Sequence, residues 1–283
     1  MPASSARNRA RQLARHGTFD RVKGTTSALV CPLVLAQAAE IEALSHGQFL
    51  TDPTKLANGL RALHGAFGTD VIVTAVADDL AACSLAAAAA GAADDLPAAT
   101  TRHPRAAAAI EATRRLAATA EDAALAAALC GPAQLAAQLG RPPADSAVLE
   151  ECGTVLLALA KAFLEAGAHL LLVVEAEPVS RAVAGDWRSA VTPLVNVARF
   201  RQAAAAVVLA DPADAALAPR GAVVCLPPAA AGPGQGIALE ADPAAWPTPP
   251  AGAPLITTLG PVRGGFAECR AAVGQLTAAL AGG

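Results

Sequence analysis

Tyrosine is missing from this 283-residue chain, and it holds only two tryptophans, six phenylalanines and one methionine. Aromatics reach 3% while apolar residues as a whole reach 54%. A large core is therefore available, but it must be built from Ala, Val and Leu, which allow close helix-to-sheet approach and bury little area each. Lysine is scarce too: Lys23, Lys55 and Lys161 are joined only by arginine as basic side chains. With 21 basic against 24 acidic residues the formal charge is −3, and no basic stripe gathers beyond residue 23. A dedicated nucleic-acid surface, which needs clustered Lys and Arg, is not expected. The apolar run Leu85 to Ala93, closed by Asp94-Asp95, is too short for a bilayer. The first twenty residues are polar and arginine-rich, without the apolar stretch that export requires. The six cysteines then read as reduced thiols of a cytoplasmic protein. Neither CxxC nor HxC occurs, and no serine lies in a nucleophile-elbow pattern. GPGQG at 232–236 precedes an apolar run rather than joining strand to helix, so it does not read as a nucleotide loop.

What the chain does have is alternation. Eight apolar runs recur, at 26–35, 70–79, 124–132, 169–178, 205–212, 222–228, 236–243 and 253–261, most of them ending at a polar, Gly, Pro or Cys residue. Helical patterns separate the early ones, at 55–68, 105–125 and 146–167. Continuous apolar strands alternating with helices predict a parallel sheet covered by helices, and eight such units predict a (β/α)8 barrel. The connections after Pro212, Pro228 and Pro243 are too short for a full crossover helix, so the outer helices of the carboxyl-terminal half are expected to be abbreviated. Residues 1–24 are set apart as a basic, partly helical leader, and 25–283 as one barrel domain.

In such a barrel the carboxyl ends of the strands surround the pocket. That rule selects Gln37, Glu40, Asp78, Asp79, Cys130, Gly131, Glu175, Glu177, Asp211, Cys225, Glu240, Asp242, Thr257 and Thr258, an acidic rim with Arg263 as the guanidinium nearest a strand end. Asp78, Asp79 and Glu175 are the catalytic candidates. A strand-end carboxylate can orient a polar substrate or move a proton once its pKa is raised, whereas the bland alternative for Asp78 and Asp79 is capping of a helix starting near Leu80. Cys130 and Cys225, with Cys31, are the weak candidates for a thiolate zinc site. Small buried thiols in an alanine-rich core outweigh that reading.

Three stretches carry a family resemblance: DVIVTAVADDLAA from Asp70, CGPAQLAAQLG from Cys130, and FLEAGAHLLLVVEAEP from Phe163. In order and spacing they resemble the uroporphyrinogen decarboxylase superfamily, which includes the cobamide-dependent and coenzyme M methyltransferases and is built on a (β/α)8 barrel. CGPAQLA resembles the family's Gly-Pro-aromatic-Thr-Leu-Ala segment, and Glu175 stands at its acidic strand end. The resemblance implies a cytosolic homodimer acting on a small molecule and, in the methyltransferase branch, zinc, a corrinoid and a corrinoid-protein partner. The departures are specific. AQAAE at 36–40 stands where the decarboxylase has an arginine clamp, and Pro261 falls at its late histidine. Ala210, Pro212 and Leu259 occupy the methyltransferase zinc-ligand places. A porphyrinogen presents many carboxylates, which an acidic rim would repel.

Three functions follow as expectations. The first is a divergent lyase or decarboxylase acting on a small polar molecule with Asp78, Asp79 and Glu175. The second is a methyltransferase-like protein using a corrinoid or thiol as methyl donor or acceptor. The third is a non-catalytic binding or partner subunit.

Overall fold

The computed structural model describes residues 5–16, 28–76, 78, 80–250 and 252–282. All eight expected strands are present: β1 (Leu29–Cys31), β2 (Val71–Ala75), β3 (Ala124–Cys130), β4 (Leu170–Glu175), β5 (Ala204–Leu209), β6 (Val223–Leu226), β7 (Gly236–Leu239) and β8 (Leu255–Thr258). They form one parallel sheet in the order β1-β8-β7-β6-β5-β4-β3-β2. Its two ends lie side by side, with Asp70 bridging them: Oδ2 accepts from the Val30 N–H at 3.3 Å. The result is a (β/α)8 barrel. Nearly every strand residue is buried, which is why the strands read as unbroken apolar runs.

The helices divide unevenly. One, α1 (Ala6–His16), precedes the barrel. After β1 come α2 (Ala36–Ile41), α3 (His46–Thr51) and α4 (Pro53–Phe67). After β2 come α5 (Leu80–Ala90), α6 (Leu96–Arg102) and α7 (Pro104–Thr119). After β3 come α8 (Pro132–Gln138) and α9 (Ser146–Glu165), and after β4 comes α10 (Ala184–Phe200). The connections after β5 and β7 shrink to single 3-10 segments, Pro212–Leu217 and Pro243–Ala245, and that after β6 to turns. A full helix returns as α11 (Phe266–Gly282) behind β8. The helical pattern expected to run to residue 125 stops at Thr119, because the last part of that stretch already belongs to β3.

Local chemistry sets the helix ends. Asp52 caps α4, accepting from Thr54 N and Lys55 N at 2.8 and 3.0 Å, Pro53 takes the first turn, and Gly68 closes the helix at φ 65°. Asp145 caps α9 in the same way.

The described part of the leader, α1, lies across the amino-terminal end of the strands. Ala10 and Leu13 are buried, and Arg7 donates to the carbonyls of Ala117, Ala120 and Ala123 ahead of β3. Arg9 reaches the Ala28 carbonyl and pairs with Asp70. His169 sits at the same end. Burial, aided by Arg7 and Arg11, pushes its imidazole down to about 4, and Nδ1 accepts from Leu125 N at 3.1 Å.

The register shows which side chains face the lumen. Val30, Ile237, Leu239 and Ile256 cluster with Leu276 of α11, so they face the helices. Side chains alternate along a strand and ladder partners share a face. Cys31, Thr257 and Ala238 therefore point inward at one level, and Cys130, Val174, Val208, Cys225 and Gly236 share another. Among the described residues the register-assigned inward side chains are apolar except for cysteine thiols and Thr257.

Candidate functional site

At the end of β2, the Asp78 carboxylate has two partners among the described residues. Its Oδ1 accepts from Leu80 N at 2.9 Å, capping α5, and its Oδ2 pairs with Arg105 Nη2 at 3.0 Å. The capping alternative is thus realised together with an ion pair. Arg105 lies in the first turn of α7, and its Nη1 also donates to Cys83 Sγ at 3.4 Å. Both groups border a small surface crevice, too narrow for more than a water, that Leu35, Leu50, Leu56 and Thr74 also line. Asp79 lies outside the described residues.

Glu175 ends β4 with no exposed surface. It pairs in the ladder with Leu209, on the face opposite Val174 and Val208, and so faces the helices rather than the lumen. There Oε1 accepts from Ala133 N at 3.0 Å and Trp187 Nε1 at 2.8 Å, while Oε2 accepts from Gln134 N at 3.0 Å. Gln134 answers through its own Oε1, which accepts from Ala176 N at 3.1 Å. Burial pushes the Glu175 carboxyl up to about 7, against the pull of these three donors. The Cys-Gly-Pro junction that opens α8 is therefore the seat of this carboxylate.

Other rim acids behave similarly. Asp211 accepts from Ala213 N at 2.8 Å and Asp242 from Ala244 N at 2.9 Å, each capping the short segment after its strand. Glu240 and Glu177 are exposed. Asp214, which no strand-end rule selects, is buried and accepts from Val179 N at 2.8 Å, with Arg181 3.3 Å away. Gln37 and Glu40 clasp the β8–α11 connection: Gln37 Nε2 donates to the carbonyls of Val262 and Gly264, and Glu40 accepts from Phe266 N. Thr258 Oγ1 donates to the Gly260 carbonyl and accepts from Leu33 N. Thr257, one strand position earlier, is buried with its hydroxyl unbonded.

The thiols at the strand ends are buried and free. Burial pushes Cys225 up to about 12 and raises Cys31 and Cys130 as well, with Glu175 and Asp78 adding to the effect on Cys130. A cysteine that holds zinc must do so as a thiolate. Among the described residues no three His, Cys, Asp or Glu side chains gather as a metal set. Ala210, Pro212 and Leu259 offer no donor side chain at the family's zinc places, and Pro212 starts the 3-10 segment after β5. The residues present do not fit that metal.

Sequence reasoning missed Arg105 and Trp187. Arg263 does not supply the rim's ion-paired guanidinium; its side chain is exposed, and Arg105 reaches Asp78 from the next helix. The Pro104 helix start was a local signal for that placement, since it puts residue 105 in the first turn at the strand-end side. Trp187 had no comparable signal, because its partner is distant in sequence.

No family model matches the chain, and no curated protein matches it. Among solved structures, a methyltransferase from Methanosarcina mazei superimposes with a TM-score of 0.69 at 12% identity, covering 98% of each chain. At that identity the likeness is one of fold, the (β/α)8 barrel.

Proposed function

We propose that the chain is a methyltransferase-like barrel protein that takes a methylated small molecule, a corrinoid or a thiol partner, at the carboxyl-terminal rim. The observation that carries this reading is the match to a methyltransferase over 98% of both chains. The lyase reading would need Asp78, Asp79 or Glu175 as proton carriers. Asp78 is engaged in a cap and an ion pair, and Glu175 faces the helices. A second reading, a partner subunit that binds without turnover, is favoured by one observation: the three inward thiols are buried and held protonated.

The test is to mix the protein with methylcobalamin and 2-mercaptoethanesulfonate and to follow the cobalamin spectrum. Transfer forms the S–CH3 bond and breaks Co–CH3, leaving the electron pair on cobalt as cob(I)alamin while the thiol proton goes to solvent. Demethylation above the protein-free rate supports methyl transfer. Saturable binding without demethylation supports the partner subunit, and neither binding nor demethylation overturns both readings.

A further inference from the structure

Backbone ladders join neighbouring strands at seven boundaries of this barrel. The eighth boundary is different. β1 and β2 lie side by side, yet among the described residues no backbone hydrogen bond joins them. Leu29 N donates to the Pro254 carbonyl ahead of β8 at 3.0 Å, which turns the alternate groups of this edge, Ala28 C=O and Val30 N–H, toward β2. Side chains meet both. Val30 N–H donates to Asp70 Oδ2 at 3.3 Å, and the Ala28 carbonyl accepts from Arg9 Nη1 at 3.2 Å. Arg9 Nη2 pairs in turn with Asp70 Oδ1. On its other flank Asp70 uses its backbone, whose carbonyl accepts from Ala124 N at 3.1 Å. An arginine–aspartate splice thus stands where ladder bonds would be.

Arg9 belongs to α1, so the splice ties that helix across the boundary. Arg7 holds the carbonyls of Ala117, Ala120 and Ala123 on the β3 side, while Arg9 holds Ala28 on the β1 side. The splice is only partly shielded, with the Arg9 and Asp70 side chains 18% and 27% exposed, and the buried Nε of Arg9 has no partner. At the opposite end of the boundary, Leu35 beyond β1 and Thr74 to Val76 at the end of β2 border one crevice. Parting β1 from β2 breaks no backbone ladder, whereas parting any other neighbours does. Local opening follows the least-bonded line of a structure, and here that line is the β1–β2 boundary.

We propose that the β1–β2 boundary is a gate in the barrel wall and that α1 is its strap: with Arg9 in place the wall is closed, and with Arg9 withdrawn β1 parts from β2 and opens the lumen beside Cys31. The other seven boundaries stay paired. Cys31 ends β1, is buried and points inward, and Asp70 lies near enough to act on its thiol. The gate stands independently of the methyltransferase reading.

Cys31 and Cys130 are both buried inward thiols, one at the gate and one at the end of β3, so a single molecule reports the gate and the ladder-paired wall. The experiment is native-state alkylation by iodoacetamide, read at each cysteine by peptide mass spectrometry and divided by the rate of the same thiol in urea. Wild type should label Cys31 ahead of Cys130. Arg9→Gln should raise the Cys31-to-Cys130 ratio by about tenfold or more. Arg9→Lys should fall between the two, because an ammonium cannot reproduce the fork. Asp145→Ala, which removes the α9 cap away from the boundary, should leave the ratio unmoved. Equal labelling of the two thiols in wild type, or an unmoved ratio in Arg9→Gln, overturns the gate. Should Arg9→Gln fail to fold, wild type decides: raising salt from about 0.05 M to about 0.5 M screens the part-exposed pair and should raise the ratio about threefold. An unmoved ratio there overturns the gate equally.

Discussion

The Cβ that Gly131 lacks would sit 2.0 Å from Glu175 Oε1 and 2.3 Å from its carboxyl carbon. Those two residues lie at the ends of neighbouring strands, and the absence of one side chain makes the burial of the other geometrically feasible. Gly131→Ala must push Glu175 off its three donors. The expected loss is about 3 kcal/mol or more in urea unfolding, from overpacking plus broken charge-assisted bonds. Combining it with Glu175→Ala should cost clearly less than the sum of the single changes, as for any directly coupled pair.

Two buried titrations oppose each other. Glu175 moves from 4.5 to about 7 on folding, so between those values the folded chain holds a proton that the unfolded chain has released. Its contribution is therefore lost as pH rises, by about 3 kcal/mol at most. His169 moves from 6.5 to about 4, so in that window the unfolded chain holds the extra proton and stability is lost as pH falls, by about 2 kcal/mol for this part-exposed ring. The windows overlap, so the wild-type stability curve should be shallow between them. Glu175→Gln should unmask a rise with pH, and His169→Gln a fall, in unfolding midpoints taken across that range.

Asp78→Asn keeps an acceptor for Leu80 N and removes the charge facing Arg105, where the two side chains are 18% and 15% exposed. A loss of about 1–3 kcal/mol is expected. Asp78→Ala should cost about 1 kcal/mol more, because the α5 cap goes as well. Equal losses in the two variants, by urea titration, would show that the cap contributes nothing.

Arg7→Ala removes the fork that holds three carbonyls ahead of β3. It should cost about 1–3 kcal/mol and raise the His169 pKa, which Arg7 now depresses. Thermal melting and the imidazole proton shifts measure both effects. Arg7→Lys should restore the charge effect on His169 without the full stability, since an ammonium cannot reproduce the fork.

The barrel was legible because eight runs buried on both faces keep their apolar residues consecutive, and the shortened connections after Pro212, Pro228 and Pro243 could be counted directly. The faces were harder to read. Glu175 and Val174 are sequence neighbours, yet one meets Trp187 and the other the lumen, and only the ladder register tells them apart. Arg105 was invisible for a related reason: it acts at the end of β2 from a helix that begins 26 residues after Asp78. In Asp78, Asp211 and Asp242 the same residue type at a strand end serves to start the next segment, and sequence alone presents that use and a proton-transfer use in identical form.

The proposed function is methyl transfer by a barrel whose Asp78 carboxylate caps α5 and pairs with Arg105. Isotopic methyl transfer from methylcobalamin to a thiol, measured on wild type and Asp78→Asn at matched folded fractions, tests this most directly. Rates within about threefold of each other are predicted, a difference of less than about 1 kcal/mol in barrier. A silent Asp78→Asn beside an active wild type would return that carboxylate to the reaction, and silence from both would contradict methyl transfer itself.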